Sequence, residues 1–296
     1  MNARAQNVAL PDGRRHFHDG PIDLILEAFG DRREVEAAYE AAARRFAGIL
    51  DELCAELPLL RRPLASPPQG AVALRMARAV APFQQTHFLT PMAAVAGAVA
   101  EEVLAAMVGA ARLERAFVNN GGDIALHLSA AEIFQIGMVG RPDQPSLFGR
   151  ATISAFDEAR GVATSGWRGR SFSLGIADAV TVLAPTAAMA DAAATLIANA
   201  VDLGDHPAIK RMPARRIDPQ SDLGDRPVTR GVGALSPAEI DTALGFGAGE
   251  AERFRRLGLI EAAALRLGER TLLVGADASL YKQRAVSVSE RSHAPG

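Results

Sequence analysis

Three short motifs in the sequence carry residue types that could bind an anionic ligand and a cation. The first is 119-NNGGD-123, which lies between an apolar stretch and an alternating, strand-like stretch. Paired glycines let backbone N–H groups approach an anionic or flat ligand, and Asp123 offers an acceptor for ribose hydroxyls or ring N–H groups. Asn-Gly and Gly-Asp are also common turn dipeptides, so a plain hairpin turn is the alternative. We predict that Asn119, Gly121, Gly122 and Asp123 face a ligand.

The second motif, 161-GVATSGWRGRSF-172, combines hydroxyl groups with positive charge. Thr164, Ser165 and Gly166 offer two hydroxyls and a flexible joint, and Arg168 and Arg170 follow as candidate phosphate partners. A surface loop anchored by the single tryptophan of the chain is the competing interpretation.

The third motif lies in the alanine-rich stretch 186–201. Asp191 and Thr195 are four residues apart, so a helix places them on one face. A carboxylate and a hydroxyl suit a hard cation such as Mg²⁺. A solvent-facing aspartate is the alternative, but the apolar neighbours on all sides favour burial, and a buried carboxylate needs a partner.

The bulk composition limits the classes of protein. With 296 residues and 49% hydrophobic content, the chain can bury a full core. The 32 basic and 34 acidic side chains do not indicate a nucleic-acid or membrane-surface protein. Cys54 is the single cysteine, which excludes an intramolecular disulfide, and the first 20 residues lack the apolar segment of a secretory signal. The longest apolar stretches are interrupted by acids, which argues against membrane spans. We expect a cytoplasmic protein.

The periodicity of apolar residues predicts the elements that position these motifs. Helices are expected over 31–57, 71–81, 90–109, 186–201 and 237–256. Strands are expected over 21–29, within 117–156 as an antiparallel meander, over 171–184 and over 271–274. The stretch 204–236 is predicted to be a loop or extended arm. This order indicates an α+β fold with mostly antiparallel sheets flanked by helices. We divide the chain into a disordered start (1–20), one domain (21–280) and a polar tail (281–296).

The three motifs together, in this order, resemble the ApbE superfamily, whose characterised members are FAD:protein FMN transferases. VNNGGD matches the family's N-x-GGD strand start, ATSG its TSG loop, and ADAAAT its D-x-x-x-T magnesium helix. The stretch 86-THFLTPMAAVAGAVA-100 stands where the family has an F-D-P-T segment, which makes Thr90 a candidate flavin-site residue. The whole chain most closely resembles the uncharacterised ApbE-like branch. The resemblance implies a single compact domain of duplicated α/β units.

The resemblance also implies roles for individual residues. Asp123 matches the acid that contacts the flavin nucleotide, and the Thr164–Gly166 loop lies beside the flavin. Asp191 and Thr195 match the side-chain ligands of magnesium, and Leu126 stands where the family lends a main-chain carbonyl to the ion. FAD and Mg²⁺ are therefore the expected cofactors.

One element of the transferases has no counterpart in its usual place. They carry His-x-x-Asp-Pro between TSG and the magnesium helix, where this chain has neither a histidine nor Asp-Pro, and Ser173 stands near the histidine position. His87 and His127 could compensate, although surface histidines are the alternative. The transferases are also commonly exported, and this sequence shows no export signal.

The sequence therefore allows three functions. The first is a Mg²⁺-dependent enzyme that binds FAD or a related nucleotide and attacks its pyrophosphate, giving FMN transfer to a protein acceptor or hydrolysis. The second is a non-catalytic flavin- or nucleotide-binding protein. The third is an enzyme for another phosphorylated metabolite on the same scaffold. The sequence does not predict the oligomeric state.

Overall fold

The computed structural model describes residues 5–140 and 147–275. The helices are α1 Arg32–Phe46, α2 Ile49–Leu60, α3 Ala71–Val80, α4 Val95–Ala110, α5 Ala187–Ala200 and α6 Pro237–Arg256, with short 3₁₀ turns at Pro91–Ala94 and Ala214–Arg216. The strands are β1 Gln6–Ala9, β2 Arg15–Asp19, β3 Ile22–Phe29, β4 Arg115–Asn120, β5 Asp123–Leu128, β6 Ile133–Val139, β7 Leu147–Ser154, β8 Gly161–Ser165, β9 Ala179–Ala184, β10 Ile209–Pro213, β11 Pro227–Val232, β12 Ala262–Leu267 and β13 Arg270–Val274.

Side-chain caps fix the starts of several helices. The Asp31 carboxylate accepts a hydrogen bond from the backbone of α1, and the Thr186 hydroxyl accepts one from the backbone N–H of Met189 in α5. Ser236 and Glu239 form a reciprocal capping box at the start of α6. Such caps satisfy backbone N–H groups that have no partner within the helix.

Nine strands form the main sheet in the order β1-β2-β3-β4-β5-β8-β9-β12-β13. Every strand pair in the described residues is antiparallel, and β6–β7 and β10–β11 form separate two-stranded sheets. The predicted α+β class with mostly antiparallel sheets is confirmed.

The main sheet contains the same arrangement twice. Strand β3 is followed by helices and then by the β4–β5 hairpin, with β4 pairing against β3. Strand β9 is likewise followed by helices, with the separate β10–β11 pair between them, and then by the β12–β13 hairpin, with β12 pairing against β9. The sequence shows no repeat, but the topology has the duplicated units that the family resemblance implies.

Two apolar cores lie on opposite faces of the main sheet. The larger core packs the helices against one face, through side chains such as Leu26, Val99 and Ile197. The smaller core packs the β6–β7 hairpin against the other face, through side chains such as Met138 and Leu183. The sheet is therefore covered on both sides, and strands such as β9 are buried throughout because both of their faces are covered.

The beginning of the chain differs from the expected disordered start. Strands β1 and β2 pair with each other, and β2 pairs with β3, so they extend the main sheet. Phe17 is fully buried, and its ring centroid lies 5.4 Å from that of Phe46. The burial of this side chain in the larger core explains why the stretch is ordered. The predicted polar tail at 281–296 lies outside the described residues.

Other elements also differ from the sequence-based expectation. The helix expected over 31–57 is two helices separated at Gly48, and Pro58 lies inside α2 rather than ending it. The arm over 204–236 contains the β10–β11 pair, the strand expected over 171–184 starts only at Ala179, and strand β12 was not predicted.

One helical stretch, Pro91–Ala110, is long and apolar enough to cross a membrane. In the described structure it packs against α1, α3 and α5, and its buried residues belong to the larger core. Such a core helix passes the same test of length and composition, so this stretch is weak evidence for a membrane span.

Candidate functional site

The NNGGD motif forms the tight turn between β4 and β5. Asn120 pairs with Asp123, and Gly121 and Gly122 lie between them with φ of +67° and +117°. Both angles lie in the region that favours glycine, which explains the Gly-Gly pair. The Asn119 side-chain oxygen accepts a hydrogen bond of 2.8 Å from the backbone N–H of Gly122. The motif is therefore a hairpin turn, and it also lines a cavity.

That cavity has a volume of about 470 Å³ and brings the three sequence motifs together. It lies where the β4–β5 turn, the end of β8, helix α5 and strand β6 meet. Ten of the predicted site residues line it: Asn119, Gly121, Gly122, Asp123, Thr164, Ser165, Gly166, Arg170, Asp191 and Thr195. The size is within the range of small-molecule sites, which is roughly 300–1,000 Å³.

Asp191 projects from α5 toward the start of α4. Its Oδ2 accepts a hydrogen bond of 3.1 Å from the backbone N–H of Gly97, in the first turn of α4. A helix N-terminus favours such an anionic partner. Burial raises the pKa of Asp191 well above its ordinary value, and the Asp123 charge raises it further, against the opposing backbone hydrogen bonds from Gly97 and Ala96.

Gly97 allows α4 and α5 to cross closely enough for this contact. A Cβ at Gly97 would overlap the carbonyl of Ala187 and would lie 2.6 Å from the backbone nitrogen of Ala188. Asn120 contributes from the other side, since its Nδ2 donates to the Ala96 carbonyl at 3.1 Å. The α4–α5 crossing thus fixes Asp191 relative to the β4–β5 turn.

Asp123 faces the helices and therefore lies on the same side of the sheet as Asp191. Along β5 it alternates with Ile124, which packs in the smaller core, while Ala125 packs in the larger one. Burial raises the pKa of Asp123 to about 7, although the backbone N–H of Thr164 and the positive charge of Arg170 oppose that shift. The two carboxyl groups therefore sit in one enclosed space and repel each other when both are ionised.

The TSG motif lies at the end of β8. The Thr164 hydroxyl is 2.9 Å from the hydroxyl of Thr181, its partner on β9. A Cβ at Gly166 would come within 2.9 Å of the Ala177 carbonyl oxygen, so glycine is required for the close approach of this loop.

An apolar wall, which the sequence analysis missed, completes the cavity. It consists of Ile124 and Val162 from the main sheet and Ile136 and Val139 from β6. The wall lies on the sheet face covered by the β6–β7 hairpin. The alternation in IFQIGMV indicates a strand, but no signal in the sequence shows that this hairpin folds onto the motif residues. Ala96 of α4 and Thr181 of β9 also line the cavity, and no local pattern in the sequence shows that they reach it.

Three predicted site residues do not line the cavity. Thr90 is buried, and its hydroxyl donates to the Asp222 carboxylate. Leu126 packs its side chain in the smaller core, and its backbone N–H donates to the Arg160 carbonyl at 2.9 Å. Neither Thr90 nor Leu126 is among the residues that line the cavity with Asp191 and Thr195.

Arg168 is the third of these residues. Its guanidinium lies 4.3 Å from the centroid of the Trp167 ring and forms an ion pair of 2.7 Å with Asp178. Its charge is therefore already balanced by the protein, and of the two predicted phosphate partners Arg170 alone reaches the cavity.

No histidine is among the described residues that line the cavity. His87 Nε2 lies 3.0 Å from a Glu250 carboxylate oxygen, and the His127 ring lies 3.3 Å from the Leu113 carbonyl oxygen. Ser173 is buried, with its hydroxyl 3.3 Å from the Asn199 side-chain oxygen. The structure gives none of these residues a place beside the carboxyl pair.

The oxygen donors of the cavity fit a hard cation. Asp191 and Thr195 lie one helical turn apart on α5, and Asp123 faces the same space. In the part of the chain that the structure describes, no three His, Cys, Asp or Glu side chains stand together as a complete metal site. Magnesium commonly takes one or two carboxylates and completes its shell with water and ligand oxygens. The donor set is therefore suited to Mg²⁺ bound together with a phosphate-bearing ligand.

Comparison with known proteins gives a family for most of the chain. The sequence model of a family described as AbpE bacteria matches residues 7–275. A UPF0280 protein of Methanosarcina barkeri is 33% identical over 218 residues, which cover 69% of this chain and 79% of that protein. A UPF0280 protein of Methanopyrus kandleri is 41% identical over 137 residues, 46% of this chain and 51% of that protein. The match thus spans about half the length of the latter relative, and neither name states a ligand or a reaction.

Proposed function

The chain belongs to the AbpE bacteria family of ApbE-related proteins, and on that premise we propose that its cavity binds FAD or a related nucleotide together with Mg²⁺. The observation that carries the proposal is the pair of enclosed carboxyl groups, Asp123 and Asp191. Arg170 is the single basic side chain among the described residues that line the cavity, so the site has more negative than positive charge when both carboxyl groups are ionised. A divalent cation would offset this excess and would attract a pyrophosphate.

The protein groups around the carboxyl pair have the chemistry to bind phosphate. Asp191 and Thr195 would hold the ion from α5, and Asp123 would face it from the hairpin turn. The hydroxyls of Thr164 and Ser165 can donate to phosphate or ribose oxygens. Mg²⁺, when bound, supplies stabilisation of the negative charge that develops on phosphoanhydride oxygens.

The apolar wall supports a ligand that also has a flat, apolar part. Ile124, Ile136, Val139 and Val162 line the cavity on the sheet face under the β6–β7 hairpin, and Asp123 and Asp191 line it on the face under the helices. An isoalloxazine ring against the wall and a pyrophosphate against the polar side would match both halves. Such a division into apolar surface and a few placed polar groups is usual for cofactor sites.

The proposed reaction is cleavage of the FAD pyrophosphate, with FMN passing to a protein acceptor or to water and AMP released. A second candidate is binding without turnover. The absence of histidine from the described cavity lining favours this candidate, because no histidine stands beside the site to act as the general base. An enzyme for another phosphorylated metabolite is the third.

Calorimetric titration with FAD, with and without Mg²⁺, tests the proposal. We expect micromolar binding that requires Mg²⁺ and is weakened roughly 100-fold or more in Asp191→Ala. Asp241→Ala is the matched control, because Asp241 is an exposed acid on α6 that pairs with Arg270 at 2.8 Å outside the cavity.

The outcomes separate the three candidates. AMP release from bound FAD supports the enzyme, and Mg²⁺-dependent binding without release supports the binding protein. If wild type binds no flavin nucleotide but binds another phosphorylated metabolite, the flavin proposal is wrong and the third candidate holds.

A further inference from the structure

We infer that Arg170 couples the cation and the anion of the ligand: it partly offsets the charge of Asp123 while no cation is present, and it binds the anionic group once a cation takes over that role. The inference rests on the proposed function and adds a rule for how the two ligands depend on each other. The family resemblance assigns no role to this residue.

The position of Arg170 is the first observation. Its guanidinium lies directly against the β4–β5 turn, so that a Cβ at Gly121 would overlap its terminal nitrogen and lie 3.1 Å from its Cζ. The same side chain lines the cavity, while the residue as a whole is exposed to solvent. Arg170 therefore stands at the mouth of the cavity, beside the turn that carries Asp123.

The balance of charge is the second observation. Two carboxylates and one guanidinium are the charged groups among the described residues of the cavity lining. The positive charge of Arg170 draws the pKa of Asp123 downward against the upward effect of burial, so the two groups already interact. When both carboxyl groups are ionised, an anion that approaches this site alone meets a net negative charge, which opposes its binding.

A bound cation changes this balance. Because Mg²⁺ and the guanidinium are attracted by the same carboxylates, Arg170 opposes binding of the cation alone. Once the cation offsets the carboxylates, the guanidinium can donate charge-assisted hydrogen bonds to a phosphate. Removal of the Arg170 charge should therefore strengthen binding of Mg²⁺ alone and weaken binding of the anion in its presence. A purely structural role would not produce opposite effects.

The neighbouring Arg168 is the matched control. It lies two residues away in the same loop, but it stacks on Trp167 and pairs with Asp178 instead of lining the cavity. Loss of its charge should leave both affinities within roughly twofold of wild type, because its attraction to the cavity is screened by Asp178 and by salt.

The experiment measures two affinities in Arg170→Gln, Arg170→Lys, Arg168→Gln and wild type. One titration uses Mg²⁺ alone, and the other uses inorganic pyrophosphate at saturating Mg²⁺. For Arg170→Gln we expect Mg²⁺ to bind roughly 3- to 10-fold more tightly, and pyrophosphate roughly 10- to 100-fold more weakly. Arg170→Lys should keep the wild-type Mg²⁺ affinity within roughly threefold and lose part of the pyrophosphate affinity, because lysine keeps the charge without the bidentate geometry.

The inference is wrong if the affinities for Mg²⁺ and pyrophosphate change in the same direction or do not change at all. If Arg170→Gln weakens both ligands or changes neither, while wild type binds FAD with Mg²⁺, the coupling role is wrong and the proposed function stands. If wild type binds neither Mg²⁺ nor pyrophosphate nor FAD, both proposals fail. Should Arg170→Gln be unfolded by circular dichroism, Arg170→Lys decides: equal weakening of both ligands counts against the coupling.

Discussion

Helix α4 has partly buried acids at two places, two of its own glutamates at one and Asp191 of α5 at the other, and the charges of these acids are balanced differently. In its second turn, Glu102 accepts hydrogen bonds of 2.8 Å from both Arg45 and Arg75. Glu101 beside it pairs with Arg75 and accepts a hydrogen bond of 2.7 Å from the backbone N–H of Ala188 in α5. At the start of the same helix, the Asp191 carboxylate receives the N–H of Gly97 but has no basic partner of this kind among the described residues.

The pKa directions express this difference. Burial alone would raise the pKa of Glu102, but the hydrogen bonds from Arg45 and Arg75 outweigh it and leave the pKa below its ordinary value. For Asp191 burial is opposed only by backbone N–H groups, and its pKa lies well above the ordinary value. Acids that hold helices together are balanced by the protein itself. The acids that face the cavity retain a charge that a ligand must balance.

The largest expected effect is on the free energy of unfolding and concerns Glu102, whose charge two arginines balance. Glu102→Gln should lower the free energy of unfolding by about 2–3 kcal/mol, because it leaves two partly buried arginines without their shared carboxylate. Urea unfolding with an unchanged m-value measures this loss. Glu40→Gln is the control, since Glu40 is exposed and its 3.6 Å pair with Arg44 should contribute less than about 0.5 kcal/mol. Equal losses of unfolding free energy in Glu102→Gln and Glu40→Gln would show that the balanced charge of Glu102 contributes no more than an exposed ion pair.

The second-largest effect concerns Gly97, where α4 and α5 cross. Gly97→Ala should destabilise the protein by about 2 kcal/mol, since the new methyl group overlaps the α5 backbone at Ala187. It should also weaken Mg²⁺ binding, because it displaces Asp191. Gly109→Ala in the same helix meets no atom within 4 Å, so it should be neutral or slightly stabilising by up to about 1 kcal/mol. Thermal unfolding and Mg²⁺ titration of both variants provide the comparison.

The third effect has the opposite sign from the first. Asp191→Asn should raise the free energy of unfolding of the metal-free protein at pH 8 by about 1 kcal/mol, because it removes a buried, unbalanced charge. The same variant should lose the stabilisation by Mg²⁺ that wild type shows. Denaturant unfolding in chelator and in Mg²⁺ measures both changes. A loss of stability in chelator would show that Asp191 is balanced after all.

The smallest effect is the pH dependence of the metal-free protein. The folded-state pKa of Asp123 is raised to about 7, so the folded state keeps a proton that the unfolded state has released above about pH 4. Titration of Asp123 should therefore lower the stability by about 1 kcal/mol between pH 6 and pH 7. Saturating Mg²⁺ should flatten this slope, as should the double variant Asp123→Asn/Asp191→Asn. Glu102 acts in the opposite direction, since its lowered pKa makes its contribution present near neutral pH and lost in acid. A slope that persists in the double variant would assign the effect to other groups.

Local patterns in the sequence were enough to predict many elements of the fold. The bounds of α6 follow from its Ser-Pro-x-Glu start and its apolar spacing, and the structure has Pro237 in the first turn and a capping box between Ser236 and Glu239. The α+β class follows from the order of elements. The duplication followed only from the family resemblance, because the repeated units share strand pairing and not residue types, and pairing between distant strands leaves no local signal.

The candidate site was predicted in part, for a physical reason. Gly121 and Asp191 belong to motifs whose residue types are unusual in their local context, so each could be noticed alone. The apolar wall consists of ordinary strand residues such as Ile136, whose importance comes only from where the β6–β7 hairpin packs. Arg168 and Arg170 look equivalent in sequence, and only the three-dimensional arrangement of their partners distinguishes them.

The duplication of the sheet has a consequence for how the molecule unfolds. Asp123 follows β4 in the first unit, and Asp191 lies on α5 in the second, so the cavity is a seam between two halves that share a single sheet. Where the halves meet, β5 and β8 are in register at only two residue pairs, Ile124–Val162 and Ala125–Gly161. A ligand held across this seam would tie the halves together and make them unfold as one cooperative unit.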